Sequence, residues 1–232
     1  MEQIYTIPIN EHFDASLNDR GCGCPICSLH RMLEKNELDL ILGASMMEPD
    51  VRIKTNEQGF CATHYSMMFT MKNRLGMALT LESHLNELRE DVKDLPLLVP
   101  GSRARQRITD LEGSCYVCSR INSNFEKVID NVVYIWTADE NFRRKFSAQP
   151  YFCLPHWNAM LWVAKKKYSH SDYKSFSKAC SEVVLPYFDS LREDVSWFCK
   201  KFDYRYDDEP WGNSKDAVER AMKFLRSDLH RS

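Results

Sequence analysis

One short spacing, written twice in two versions, constrains this chain more than anything else in it. Cys24-Pro25-Ile26-Cys27 is followed by Phe60-Cys61-Ala62-Thr63-His64, and Cys115-Tyr116-Val117-Cys118 is followed by Phe152-Cys153-Leu154-Pro155-His156. The gap from Cys27 to Cys61 is 34 positions and that from Cys118 to Cys153 is 35. The match extends past the cysteines and histidines. A serine follows each first pair (Ser28, Ser119), an aromatic follows each histidine (Tyr65, Trp157), and a methionine lies four positions beyond it (Met68, Met160). An apolar-Glu-Lys triplet also recurs, offset by one residue, as Leu33-Glu34-Lys35 and Phe125-Glu126-Lys127. Agreement at so many positions points to an internal duplication of about ninety residues.

The chemistry of the repeated residues is that of metal ligation. Three thiolates and one imidazole form a common tetrahedral zinc set, and a two-residue spacer lets both ligands of a turn converge on one ion. In the first turn of a helix, Cys61 and His64 share a face, as do Cys153 and His156. A helix N-terminus also favours the thiolate that metal binding requires. The candidate ligands are therefore Cys24, Cys27, Cys61, His64, Cys115, Cys118, Cys153 and His156. Three negative charges against a divalent cation leave a residual of about −1 per site, so neighbouring donors are expected. The expected cofactor is two Zn2+ ions, with an iron–sulfur cluster as the alternative. Whether each half closes its own site or the pairs cross between halves is open at this level.

One other use of these cysteines competes. A thioredoxin-like CxxC needs a preceding strand in a parallel sheet, whereas Asn18 to Gly23 is a polar loop with no alternating pattern nearby. Of the remaining cysteines, Cys180 and Cys199 lie in helical apolar patterns and read as buried thiols. Cys22 is close enough to Cys24 to compete as a ligand.

Apolar spacing is helical through most of the chain. Long helices are expected over 29–42, 64–95 with a slight bend at Gly76, 122–136, 153–167 and 173–202, the last split or kinked at Pro186. Pro96, Pro100 and Gly101 followed by Arg103, Arg105 and Arg107 suggest a linker, whose alternating arginines could instead form an anion-binding strip. The resulting expectation is an all-α protein. Residues 1–95 form a first CxxC…CxxH half, 96–114 a linker, 115–170 the second half, and 171–232 C-terminal helices with an aromatic-acidic tail. That tail, Asp203 to Trp211, mixes charge and aromatics as a binding centre could, or packs as an ordered loop. A final helix near 213–225 should dock through Ala217, Ala221 and Leu225, with Val218 and Met222 beside them. His84, near Glu82 and Glu87, reads as a hydrogen-bonded helix histidine rather than an acid–base group.

Composition narrows the function classes. A formal charge of −2 and a pI near 6.4 offer no basic face for nucleic acid or an anionic membrane. No segment reaches the roughly 20 apolar residues that span a bilayer, and the start is acidic without a secretory pattern. The expected location is the cytoplasm, where nine cysteines favour ligands or free thiols over disulfides. No HExxH, P-loop, GxSxG or GxGxxG motif occurs in a usable context, so no catalytic residue is assigned. The expectation is a metal-stapled binding or adaptor module rather than an enzyme, with another protein as partner; an iron–sulfur redox protein is the alternative.

The ordered set CPIC, GFCATH, NRLGMAL, CYVC, FCLPH and the tail KFDYRYDDEPWG…KDAVERA resembles an uncharacterised clostridial family, over nearly the whole chain. The resemblance implies a bacterial source and supplies no activity. Members are sometimes labelled transporter substrate-binding proteins, a label that sits poorly with a start lacking an export signal or lipoprotein cysteine.

Overall fold

Helical spacing in the sequence becomes helix throughout: a computed structural model describes residues 6–93 and 102–229, and among these there are eleven α-helices and no strand. They are α1 (Thr6–Asn18), α2 (Pro25–Leu42), α3 (Pro49–Gln58), α4 (Ala62–Thr70), α5 (Arg74–Lys93), α6 (Ser102–Glu112), α7 (Tyr116–Ala138), α8 (Glu140–Ser147), α9 (Leu154–Lys167), α10 (His170–Lys200) and α11 (Ala217–Arg226). Of the described residues, no helix is long and apolar enough to cross a membrane.

The chain divides into two compact units. One joins the residues up to Arg31 with those from Glu126 onward; the other is Met32–Phe125. The division falls inside α2 and α7, so neither unit coincides with one of the repeated halves of the sequence.

Within Met32–Phe125, the core gathers Leu38, Ile41 and Leu42 of α2, Phe60, Met68 of α4, and Tyr116, Val117 and Ile121 of α7. The single helix expected over 64–95 is two helices. Lys72 adopts a left-handed backbone with φ of 64°, and Asn73 starts α5 by accepting from the Gly76 amide at 2.9 Å. The Asn73 side-chain amide also donates to the Leu42 carbonyl at 2.5 Å. Gly76 marks a close approach. A Cβ there would lie 2.7 Å from that same carbonyl, so only glycine lets α5 reach the end of α2.

Pro96, Pro100 and Gly101 lie outside the described residues, but 102–112, expected as linker, is helix α6. Of the three alternating arginines, Arg107 is committed to the fold. Its guanidinium pairs with Asp91 at 2.8 Å and donates to the carbonyls of Asn56 and Glu57. His84 is the structural histidine it was read as: its Nδ1–H donates to the Asn56 carbonyl at 2.9 Å.

The other unit is built on aromatics. Phe13, Phe142, Phe146, Phe152 and Phe176 are all fully buried and pack ring to ring. Pro186 does not split α10, which runs unbroken from His170 to Lys200. The proline removes one backbone hydrogen bond, while buried Phe176, Cys180, Val183, Val184 and Leu191 hold both flanks in place. The last helix docks through Ala217, as expected, but with Phe224 rather than Leu225 beside it: Ala217 and Phe224 are fully buried, while Val218, Met222 and Leu225 are exposed. Phe224 wins because its ring fits among Tyr151, Tyr187 and Phe188. Cys180 is buried as expected; Cys199 is exposed, contrary to expectation.

Candidate metal centres

All four ligand pairs occupy the same place on a helix. Cys24, Cys61, Cys115 and Cys153 each immediately precede a helix, namely α2, α4, α7 and α9. Each offers its carbonyl to the amide four residues on, in Ser28, Tyr65, Ser119 and Trp157, at 2.9–3.2 Å. The partner ligand three positions later therefore falls in the first turn, on the same face. Pro25 and Pro155, at the first and second helical positions, suit this geometry because their missing N–H groups would go unused there.

The pairs cross between the sequence halves. Cys24 and Cys27 meet Cys153 and His156, while Cys61 and His64 meet Cys115 and Cys118; within each set the ligand atoms all lie within 4.8 Å of one another. Each set thus lies where the N-termini of two helices come together, whose partial positive charge favours thiolates.

In the first set, His156 Nδ1 stands 3.7 Å from Cys24 Sγ, 3.4 Å from Cys27 Sγ and 3.1 Å from Cys153 Sγ, and the sulfurs of Cys27 and Cys153 are 3.7 Å apart. In the second, His64 Nδ1 stands 3.2 Å from Cys61 Sγ, 3.3 Å from Cys115 Sγ and 3.5 Å from Cys118 Sγ, with 4.0 Å between the sulfurs of Cys61 and Cys118. Tetrahedral zinc with ordinary bond lengths places sulfurs about 3.8 Å apart and sulfur about 3.6 Å from nitrogen. The residues fit one ion per set.

Burial separates the two. All four residues of the first set are buried; in the second, His64 and Cys115 are buried while Cys61 and Cys118 are half-buried. Behind His64 stands Glu34 of α2, itself buried, its Oε1 3.0 Å from His64 Nε2. Carboxylates in this position orient a metal-ligating imidazole and raise its basicity.

Crowded sulfurs strain their own protonation. Burial would raise the Cys24 thiol, but hydrogen bonds from Cys153 and Cys27 hold it well below the usual range. Cys153 is driven far up, chiefly through its hydrogen bonds to Cys24 and Cys27. In the second set burial opposes a charged His64, yet Cys115 and Glu34 outweigh it and raise the imidazole to about 10. Burial likewise opposes a Cys115 thiolate, but His64 brings it down to about 6. Cys118 is pushed up to about 12 by burial and then by the Cys115 charge. A cation within each set would relieve this competition among donors.

The glycine before Cys61 pins the two halves of the second set together. Gly59 has φ of 57° and its carbonyl accepts from the Tyr116 amide at 3.0 Å. A Cβ there would stand 3.2 Å from Leu111 and 3.4 Å from His84. Cys22 joins neither set; its thiol points to Asp19 Oδ2 at 3.7 Å.

Glu34 was visible in the sequence as part of a repeated triplet, but nothing there tied it to a histidine thirty positions away. The tail segment also has an unanticipated centre. Lys201 is buried, and its ammonium donates to the carbonyls of Tyr206, Asp207 and Glu209. Asp203 and Arg205 pair with each other at 2.6 Å. Trp197 donates to the Pro210 carbonyl at 3.0 Å. Asp203, Arg205 and the carbonyls of Tyr206, Asp207, Glu209 and Pro210 are therefore paired locally, while Phe202 and Tyr204 remain exposed at 77% and 83%.

The fold and these two donor sets define an all-α protein with two possible metal centres, each made of three cysteines and a histidine. The chain belongs to a family described as a Family of unknown function (DUF6062), which matches residues 1–232. No curated protein and no solved structure matches it.

Proposed function

We propose that each donor set holds one zinc ion, and that the protein is a zinc-stapled helical module that binds another protein. The observation that carries the metal reading is the mutual 4.8 Å limit among the ligand atoms of each set. Donors around a single ion lie this close, whereas a multinuclear iron–sulfur cluster spreads its ligands over separate irons. Four protein donors also complete a tetrahedron, and a catalytic zinc keeps one position for water. A bound ion would supply a cross-link between helix N-termini. Cys24, Cys27, Cys153 and His156 would hold one ion, and Cys61, His64, Cys115 and Cys118 the other. Free thiols suit a reducing compartment such as the cytoplasm.

Elemental analysis with a visible spectrum, on protein purified without oxygen, tests the metal. The expected result is about two zinc per chain and no visible absorbance, as for a d10 ion. Brown protein with iron and sulfide would overturn the zinc reading, and protein free of metal would overturn metal binding altogether. The partner reading rests on exposed Phe202 and Tyr204, held on a loop that Lys201 ties down. Replacing both with serine should leave metal content and melting temperature unchanged while removing partners cross-linked in cells; an unchanged partner profile counts against it.

A further inference from the structure

The two donor sets are equally tight but not equally reachable. Sulfurs from different helices approach to 3.7 Å in the first set (Cys27 and Cys153) and to 4.0 Å in the second (Cys61 and Cys118). Either pair could close to the roughly 2.05 Å of a disulfide with a small side-chain movement. Proximity alone would make both oxidisable. Access does not: every residue of the first set is buried, whereas both sulfur partners of the second are half-buried. Each of those two sits at a helix N-terminus, Cys61 just before α4 and Cys118 in the first turn of α7, and coordination to a zinc ion would hold both as thiolates. A thiolate that solvent-borne oxidants can reach is the reactive one.

We infer that the second centre is a peroxide-reactive modification site, oxidised to a Cys61–Cys118 disulfide with loss of its ion, while the first centre stays reduced. One thiolate attacks a peroxide oxygen; the O–O bond breaks, hydroxide leaves and a sulfenic acid forms. The second thiolate then attacks that sulfur and expels a second hydroxide. Two sulfurs lose two electrons in total, hydrogen peroxide accepts them, and two protons convert both hydroxides to water. His64 and Cys115 alone would no longer complete the four-donor set, and the ion it held would be released. The disulfide joins α4 to α7, the same helices that the ion had joined, so the oxidised unit keeps a cross-link at the same place. A dithiol reductant and zinc reverse the change.

This rests on the zinc reading for its metal readout but not for its thiol readout. The test uses the full chain carrying Cys22→Ser and Cys199→Ser, which removes the two accessible cysteines outside the sets. The zinc-loaded protein is treated with a small excess of hydrogen peroxide, released zinc is followed with a chromogenic chelator, and disulfides are mapped by mass spectrometry. The expected result is loss of one of the two zinc equivalents, a Cys61–Cys118 disulfide, and reduced Cys24, Cys27 and Cys153. Simultaneous loss of both equivalents, oxidation of the first set at the same rate, or an unmodified second set would overturn it. Should the protein carry no metal, the zinc reading fails, and the peptide map still decides which thiols peroxide reaches.

Discussion

The two donor sets use the same residue types at the same helical positions, and they differ in their surroundings. The set of Cys24, Cys27, Cys153 and His156 is wholly buried. That of Cys61, His64, Cys115 and Cys118 opens partly to solvent, but it has a buried carboxylate, Glu34, against its histidine. The ligands of the two sets are alike, while their exposure differs. Ligand type sets what can bind, and the neighbours set how tightly it is held and how readily it is lost.

The largest expected effect comes from removing a ligand. Structural zinc contributes about 10–16 kcal/mol of apparent binding free energy that is also folding free energy. Cys27→Ser should therefore lose the buried ion and fail to give a cooperative melt, because its partners are left as crowded buried thiols. Cys118→Ser should lose one ion yet keep the other and melt in part. Metal content and circular dichroism melts of the two variants check this; equal losses would erase the distinction between the centres.

Next in size are the paired methionines. Met68 and Met160 are both buried, at 1% and 0% exposure, so truncating either to alanine should cost about 2–5 kcal/mol. Similar shifts in chemical denaturation would show that the repeat's packing is as alike as its ligands, and clearly unequal ones that packing has diverged too.

Glu34→Gln should weaken metal binding by about 10–100-fold and only at the half-buried centre, as read by competition with a chelator of known affinity. An equal weakening at both centres would mean that Glu34 acts through the fold rather than through His64.

The subtlest difference is in protonation. With metal removed, His64 keeps the Cys115 thiol down to about 6 from an ordinary 9.0, against the opposing effect of burial. A depressed acid adds stability that is complete above the ordinary value and fades as pH falls through about 6. His64, raised to about 10, adds stability that is complete below its ordinary 6.5 and fades as pH rises through about 10. The ion pair should thus support the chelator-stripped protein between about pH 6 and 10. The part of the ultraviolet thiolate absorbance that Cys115→Ser removes should persist at pH 7 and fall away near 6; a Cys115 titration near 9 would show that the pair does not form.

Much of this molecule was legible in its residues. The eight donors stand out because metal ligation demands particular atoms at a particular spacing, and the long helices stand out because burial imposes a 3.6-residue period. Short helices such as α3 and α6 escaped notice because few of their residues are buried. The break at Lys72 escaped too: it depends on Asn73 reaching the Leu42 carbonyl, a contact between elements. Phe224 took the buried place expected for Leu225 of α11 for the same reason, since the ring's place is set by Tyr151, Tyr187 and Phe188. The repeated pattern established which atoms could hold metal and that there are enough for two ions. It left the pairing undetermined, because each CxxC and each CxxH offers half a tetrahedron and either partner completes it equally well. Folding resolved that choice. The path of the chain brings Cys24 to His156 across 132 positions and His64 to Cys115 across 51, and it alone put Glu34 behind one histidine and solvent beside the thiols of the same set.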